Sequence, residues 1–139
     1  QMTDNEVYGV SSSLADYQIA YLLNKYWHTD ILRLKDGGAN EVVQTPYTLF
    51  GECDFQTQRG TFLITNKRHH QILLDRAKPF DYVLYFQYQD PKLVVACISK
   101  LRSTDNIAII KGLGLIEKHP TLLNIISQTT HENNPYNQS

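Results

Sequence analysis

FLITNKRHHQILLDRAKPFDYVLYFQY, residues 62–88, is the stretch whose reading decides the fold. It holds two apolar segments joined by a basic connection that carries His69 and His70. Phe62-Leu63-Ile64-Thr65 reads as a buried strand, because a short run of β-branched and aromatic residues suits a pleated surface. Residues 80–88 form the second run, and five of its nine residues are aromatic. Pro79 stands just before it, ends any preceding helical turn and holds Lys78 extended. The second run is therefore expected to be a central strand, with Tyr82, Val83 or Leu84, and Phe86 contributing to the core.

Working outward, residues 47–55 and 60–66 are strand-like runs separated by Gln56-Thr57-Gln58-Arg59. That spacing predicts a hairpin with a four-residue loop ending at Gly60. Gly51 inside the first run is expected to mark a bulge. Ile72-Leu73-Leu74 is short enough to be one helical turn. Asp90-Pro91 predicts a helix start: Asp accepts from the free N–H groups of the first turn, and Pro lacks a donor that would go unused there. Leu93, Val94, Cys97, Ile98 and Leu101 supply the apolar stripe of that helix.

Toward the N-terminus, Val7-Tyr8-Gly9-Val10 predicts a first strand. Ser13 is expected to cap a helix whose buried face is Ala15, Ile19, Leu22, Leu23 and Tyr26. Asp16 would place negative charge at its positive end. Ile31-Leu32-Arg33-Leu34 alternates as a short strand, and residues 35–40 read as a glycine-bearing loop. Residues 107–110 predict a last strand, loosened at its end by Gly112 and Gly114, and residues 122–126 a short closing helix after Pro120.

The order strand, helix, strand, hairpin, strand, helix, strand implies an α+β fold. Its expected form is a mostly antiparallel sheet of five or six strands with two main helices packed on one face. With 139 residues and neither linker nor internal repeat, residues 1–139 are expected to form a single domain, with 1–5 and 130–139 flexible. That length buries roughly two-thirds of the unfolded chain's surface, enough for a core without metal or disulfide support.

Hydrophobic residues at 42% against 19% charged place the chain among globular rather than disordered proteins. No apolar run approaches the ~20 residues that cross a bilayer. The opening QMTDNEVYGV carries neither a basic region nor an apolar signal core. Cys53 and Cys97 are far apart, each in an apolar context, and read as free thiols rather than a disulfide or metal pair. A cytoplasmic protein without membrane attachment is the expectation. The net charge of −1 hides an uneven spread. Residues 1–58 carry eight acids and three bases, residues 59–78 five bases and one acid, and the remainder five of each.

Residues 74–82, LDRAKPFDY, resemble the signature of a bacterial family named for the pattern Ile-Pro-Glu-three-any-Val-Asp-Tyr (IPExxxVDY). Leu74 stands at the Ile place and Phe80 at the Val place, while Asp81 and Tyr82 match outright. Asp75 replaces the Pro, and Arg76 replaces the Glu with a reversed charge. Gly9-Val10-Ser11-Ser12, Asp16-Tyr17, Asp30 and Asn66-Lys67 are similar to the family's opening and middle, so the resemblance runs over about residues 6–100. It implies a bacterial protein with no assigned activity, and no chemistry shared through position 76. Leu74, Phe80, Asp81 and Tyr82 are read as a structural junction, a turn feeding the central strand. Asp81 beside Tyr82 would be a general base only if it lined a pocket.

Catalytic signals are weak. Adjacent His69 and His70 point to opposite faces of an extended chain and rarely share a metal. Ser11-Ser12-Ser13 has no Gly-x-Ser-x-Gly elbow around it, and Gly112-Leu113-Gly114 lacks the third glycine of a dinucleotide loop. No catalytic residue, metal or cofactor is assigned. What remains is the basic set Arg59, Lys67, Arg68, Arg76 and Lys78, with Phe62, Tyr82, Tyr85 and Tyr88 close in sequence. Basic groups with stacking rings are what single-stranded RNA binding uses; a plain solvated face is the bland counterpart. The expectation is a non-enzymatic binding or scaffold protein with an unknown protein partner. An RNA-associated module acting through 59–78 is the alternative, and a small enzyme comes third. Nine Tyr and five Phe leave room for a homodimer that covers an aromatic sheet face.

Overall fold

The structure is a computed structural model and describes residues 5–27, 32–33, 48–54, 56–68, 71–74 and 77–133. In chain order the elements are β1 (Glu6–Ser12), α1 (Asp16–Trp27), β2 (Leu32–Arg33), β3 (Leu49–Cys53), β4 (Gly60–Thr65), β5 (Lys67–Arg68), β6 (Gln71–Ile72), β7 (Tyr82–Gln87), α2 (Pro91–Arg102), β8 (Ile107–Leu115), a 3-10 turn (Ile116–Lys118) and α3 (Pro120–Asn133). Six strands make one antiparallel sheet in the order β2-β3-β4-β7-β1-β8, and β5 pairs with β6 in a separate ribbon. The fold is α+β, with helices packed on an antiparallel sheet.

β7 is central, flanked by β4 and β1. All five residues 82–86 are buried. Strands normally alternate between core and water, so burial of both faces requires two cores. On one face Tyr82, Leu84 and Phe86 pack with Val10 and Leu63 under Ile19, Ala20 and Leu23 of α1 and Val94, Cys97, Ile98 and Leu101 of α2. Phe86 meets Trp27 at 5.0 Å and Tyr8 edge-on at 6.2 Å between ring centroids. On the other face Val83 and Tyr85 pack with Val7, Phe62 and Ile64 under Leu74, Ala77, Phe80, Ile116, Leu122 and Ile126. The two helices expected on one face are there. The opposite face is closed by α3, which is 14 residues long rather than a short turn, because Leu122, Ile126 and buried Thr129 keep helical spacing.

Several local expectations are corrected. Ser13 does not cap α1. The helix begins at Asp16, and Gln18 Oε1 accepts from Ala15 N–H at 2.8 Å, closing the first turn from the third helical position. Ser12 instead ties this corner to the turn between α2 and β8, since its Oγ accepts from Leu14 N–H at 3.0 Å and donates to Asn106 O at 2.6 Å. Gly51 marks no bulge, since it pairs in register with Phe62. It is there for space: a Cβ on Gly51 would lie 2.6 Å from the Phe62 ring. The hairpin loop between β3 and β4 is longer than four residues. Asp54 organises it by accepting from Gln56 and Thr57 N–H at 2.9 and 3.3 Å, which also holds its carboxyl below the usual carboxylate range. Ile72 is in β6, not a helical turn. Gly112 and Gly114 lie inside β8, which continues to Leu115. Asp90 caps α2 as expected, accepting from Lys92 N–H at 2.9 Å with Pro91 as the first helical residue.

At the ends, Asn5 is tied down. Its Oδ1 accepts from Tyr88 N–H and its carbonyl from Ile116 N–H. Residues 130–133 continue α3. The loop at 35–40 and the expected strand residues Ile31 and Leu34 lie outside the described residues, as do 1–4 and 134–139.

Candidate functional site

The junction residues Leu74, Phe80, Asp81 and Tyr82 are fastened by backbone. Asp81 Oδ2 accepts from Ser12 N–H at 3.0 Å, Asp81 N–H donates to Val10 O, and Asp81 O accepts from Asn66 N–H at 2.8 Å. Phe80 lies flat against Gly9, where a Cβ would stand 2.5 Å from the ring. The organising residue is Asn66, which is 1% exposed. Its Oδ1 accepts from Leu74 N–H at 2.8 Å, and its Nδ2 donates to Ala77 O at 2.7 Å and Phe80 O at 3.0 Å. A buried amide with all three bonds made holds a turn that has no regular ladder to satisfy it. The Asn66-Lys67 dipeptide is visible in the sequence; its contacts, 8 to 14 residues away, are not.

The basic set is divided. Arg59 and Lys67 stand at opposite ends of β4, about 26 Å apart at ~3.3 Å per extended residue. Lys67 Nζ donates to Pro79 O at 3.3 Å, so Lys67 shares its end with exposed Lys78. Gly60 pairs with Gln87, which puts Tyr88 at the Arg59 end. The side chain of Arg68, and Arg76, His69 and His70 altogether, lie outside the described residues. Of the rings read as stacking partners, Phe62, Tyr82 and Tyr85 are buried, because each serves one of the two cores. Tyr88 is 41% exposed.

Among the described residues, two grooves lie elsewhere, beside α1. The first groove, about 630 Å³, has a floor made by the ends of three adjacent strands. Thr48 and Phe50 come from β3 and the residue before it, Thr65 from β4 and Tyr82 from β7. Thr65 and Tyr82 are directly paired, so their side chains share a face. Ala15, Asp16 and Tyr17 form the wall. The second groove, about 470 Å³, lies between Leu14, Tyr17, Tyr21 and Leu22 and the Thr104-Asp105 turn. Tyr17 borders both grooves. Tyr17 and Tyr21 are 65% and 67% exposed and stand one helical turn apart. That i, i+4 pair lies off the apolar stripe of α1, and it is the one signal in the sequence that points to the groove.

Tyr82 O–H donates to Leu14 O at 2.6 Å, locking the floor to the start of α1. Burial, then the charges of Asp16 and Asp81, push the Tyr82 hydroxyl up to about 12, so it stays a donor at neutral pH. Thr65 Oγ1 is out of water and has no hydrogen-bond partner among the described residues. Burial also pushes the Cys97 thiol up to about 11 and raises that of Cys53, so neither has the character of an activated nucleophile. Among the described residues, no three His, Cys, Asp or Glu come together as a metal-ligand set. No helix among them is long and apolar enough to cross a membrane. Compared with family models, with curated proteins and with solved structures, the chain matches none.

Proposed function

We propose that this chain is a non-enzymatic binding protein that docks a protein partner on α1, with Tyr17 and Tyr21 as anchors. The observation that carries the reading is two tyrosines, 65% and 67% exposed, of which Tyr17 borders both grooves and Tyr21 the second. Tyr is enriched where interfaces concentrate their energy, since it offers large contact area with a polar tip. Grooves of several hundred Å³ are of a size to receive side chains. Site-specific photo-crosslinking tests it: a photoreactive residue at position 21, in cell lysate, should give a discrete adduct. The same residue at Leu93, which is 58% exposed and lines neither groove, should not. Equal labelling at both positions, or none at 21, would refute the docking face.

An RNA-associated role through 59–78 is the second reading. It is supported by Lys67 and Lys78 sharing one end of β4. Its test is anisotropy of a labelled single-stranded oligonucleotide at two salt concentrations. Loss of binding on replacing both lysines with Ala supports it; no binding at low salt discards it. We further propose membership of the IPExxxVDY family, supported by the way Leu74, Phe80, Asp81 and Tyr82 work as one fastened unit. A bacterial cytoplasm is the matching compartment, and the free thiols of Cys53 and Cys97 support it. A homodimer belongs to the same proposal, supported by Ile109 and Leu115, 55% and 45% exposed on the edge strand β8.

A further inference from the structure

We propose, resting on the homodimer reading, that two copies of the chain pair β8 against β8, antiparallel about a two-fold axis at Lys111, in a register set by Arg102 of each copy meeting Glu6 of the other.

β8 ends the sheet. It is nine residues long, with β1 on one side and no strand on the other among the described residues. Such an edge offers unpaired N–H and C=O groups to a further strand. The ladder tells which residues offer them. Val10 O accepts from Asp81 N–H on the β7 side, so the polar groups of Val10 face β7. Those of its β8 neighbour Ile110 therefore face outward. Arg102 marks this outward carbonyl, donating to Ile110 O at 2.7 Å. Gly112 follows two residues on without a register break, so its groups face outward too.

Charge then selects the register. Ile110 packs in the core under α2, and Gly112 shares that face of the strand. A Cβ on Gly112 would stand 2.5 Å from Glu6 Oε1, so the Glu6 carboxylate lies over Gly112. Glu6 makes no ion pair among the described residues. Lys111, exposed, projects from the opposite face. Pairing Ile110 with its own copy would set Arg102 against Arg102, and pairing Gly112 with its own copy would set Glu6 against Glu6. Pairing Ile110 with Gly112 sets Arg102 against Glu6 twice, with a single exposed Lys111–Lys111 contact on the other face. Opposite charges across a strand pair attract and like charges repel. This register also lays Ile109, 55% exposed, beside Leu113 of the second copy, again twice. Val95, 65% exposed, shares one stripe of α2 with Ser99 and Arg102, so it overhangs the same edge. On pairing, Arg102 exchanges Ile110 O for the second copy's carboxylate, a stronger charge-assisted bond. Ile110 O is thereby freed to accept from Gly112 N–H of the second copy. The contact is self-complementary, as a two-fold interface must be.

Sedimentation of the full chain from about 10 μM to about 1 mM tests this. The unmodified chain should show a reversible monomer–dimer equilibrium. Arg102→Glu and Glu6→Arg each turn two attractive contacts repulsive, and each should weaken the dimer about tenfold or more. Both reversals together should restore most of the lost affinity. Glu6→Gln keeps the size of the side chain and should weaken the dimer severalfold, which serves if a reversal fails to fold by circular dichroism. Lys111→Thr should tighten the dimer, because it removes the like-charge contact at the axis. In the other two registers Lys111 would face Ile109 or Leu113, and no tightening would follow. A dimer indifferent to Glu6→Gln and to both reversals, a double reversal as weak as the single ones, or Lys111→Thr without tightening would overturn the β8 register and leave the homodimer reading standing. A strict monomer up to about 1 mM would remove both.

Discussion

Replacing Asn66 with Ala should be among the most damaging single changes in this chain. The side chain holds three backbone groups that span residues 74 to 80, and it is 1% exposed. Leu74 N–H would lose Asn66 Oδ1, and an orphaned buried donor costs roughly 1–3 kcal/mol. Phe80 O would lose Nδ2, adding about 1 kcal/mol. Ala77 O would suffer least, because it also accepts from Phe80 N–H at 2.9 Å. The sum is about 2–4 kcal/mol, a large share of the ~5–15 kcal/mol that stabilises a domain. In urea, with a slope of about 1.5 kcal/mol/M, the midpoint should fall by roughly 2 M with little change in slope. Lys67→Ala next door removes an exposed side chain and should stay within ~0.5 kcal/mol. Amide exchange at Leu74 should quicken in the Asn66 variant before the β7 amides follow. A loss below about 1 kcal/mol would refute the reasoning, because it would mean that water reaches these backbone groups once the amide is gone.

Gly9→Ala should cost about 1–3 kcal/mol by thermal unfolding, since its Cβ would meet the Phe80 ring at 2.5 Å; Phe80→Leu should relieve part of that cost, and additive effects would sink the contact. Tyr82 should make the protein alkali-sensitive: its folded value, raised from about 10 to about 12, exceeds that of the unfolded chain. The Tyr82 contribution is therefore full below pH 10 and falls toward pH 12 by up to ~1.4 kcal/mol per pH unit. Tyr82→Phe should remove part of the alkaline fall, the remainder coming from Tyr85 and from the Cys97 and Cys53 thiols, all raised by burial, and should cost about 1 kcal/mol at neutral pH through the lost bond to Leu14 O. Asp81→Asn keeps an acceptor for Ser12 N–H but loses its charge, so a modest loss of roughly 1 kcal/mol is expected in denaturant unfolding; an unchanged midpoint would show that the charge adds nothing to this bond.

Local pattern was enough to read most of the elements. The apolar run at residues 82–86 announced a central strand, but that both its faces are buried was decided by α3 closing the second face. Asp90-Pro91 announced the start of α2, because capping depends on chemistry within one turn. What tertiary structure decided were the long-range matters. Gln18 rather than Ser13 closes the start of α1, and Ser12 and Ser13 are both tied to Asn106, more than 90 residues away in the chain. Whether Gly51 bends its strand or makes room was settled by the cross-strand ring of Phe62. The basic segment looked like one patch because charge was counted along the chain, but an extended strand carries Arg59 and Lys67 to opposite ends. The groove was hidden for the converse reason: Asp16, Phe50, Thr65 and Tyr82 are scattered over four elements, and only the antiparallel pairing of β3, β4 and β7 beneath α1 brings them to one place. A sequence encodes periodicity and capping within a few residues, so those can be read directly; which distant side chains share a surface depends on register and packing, which are properties of the assembled sheet.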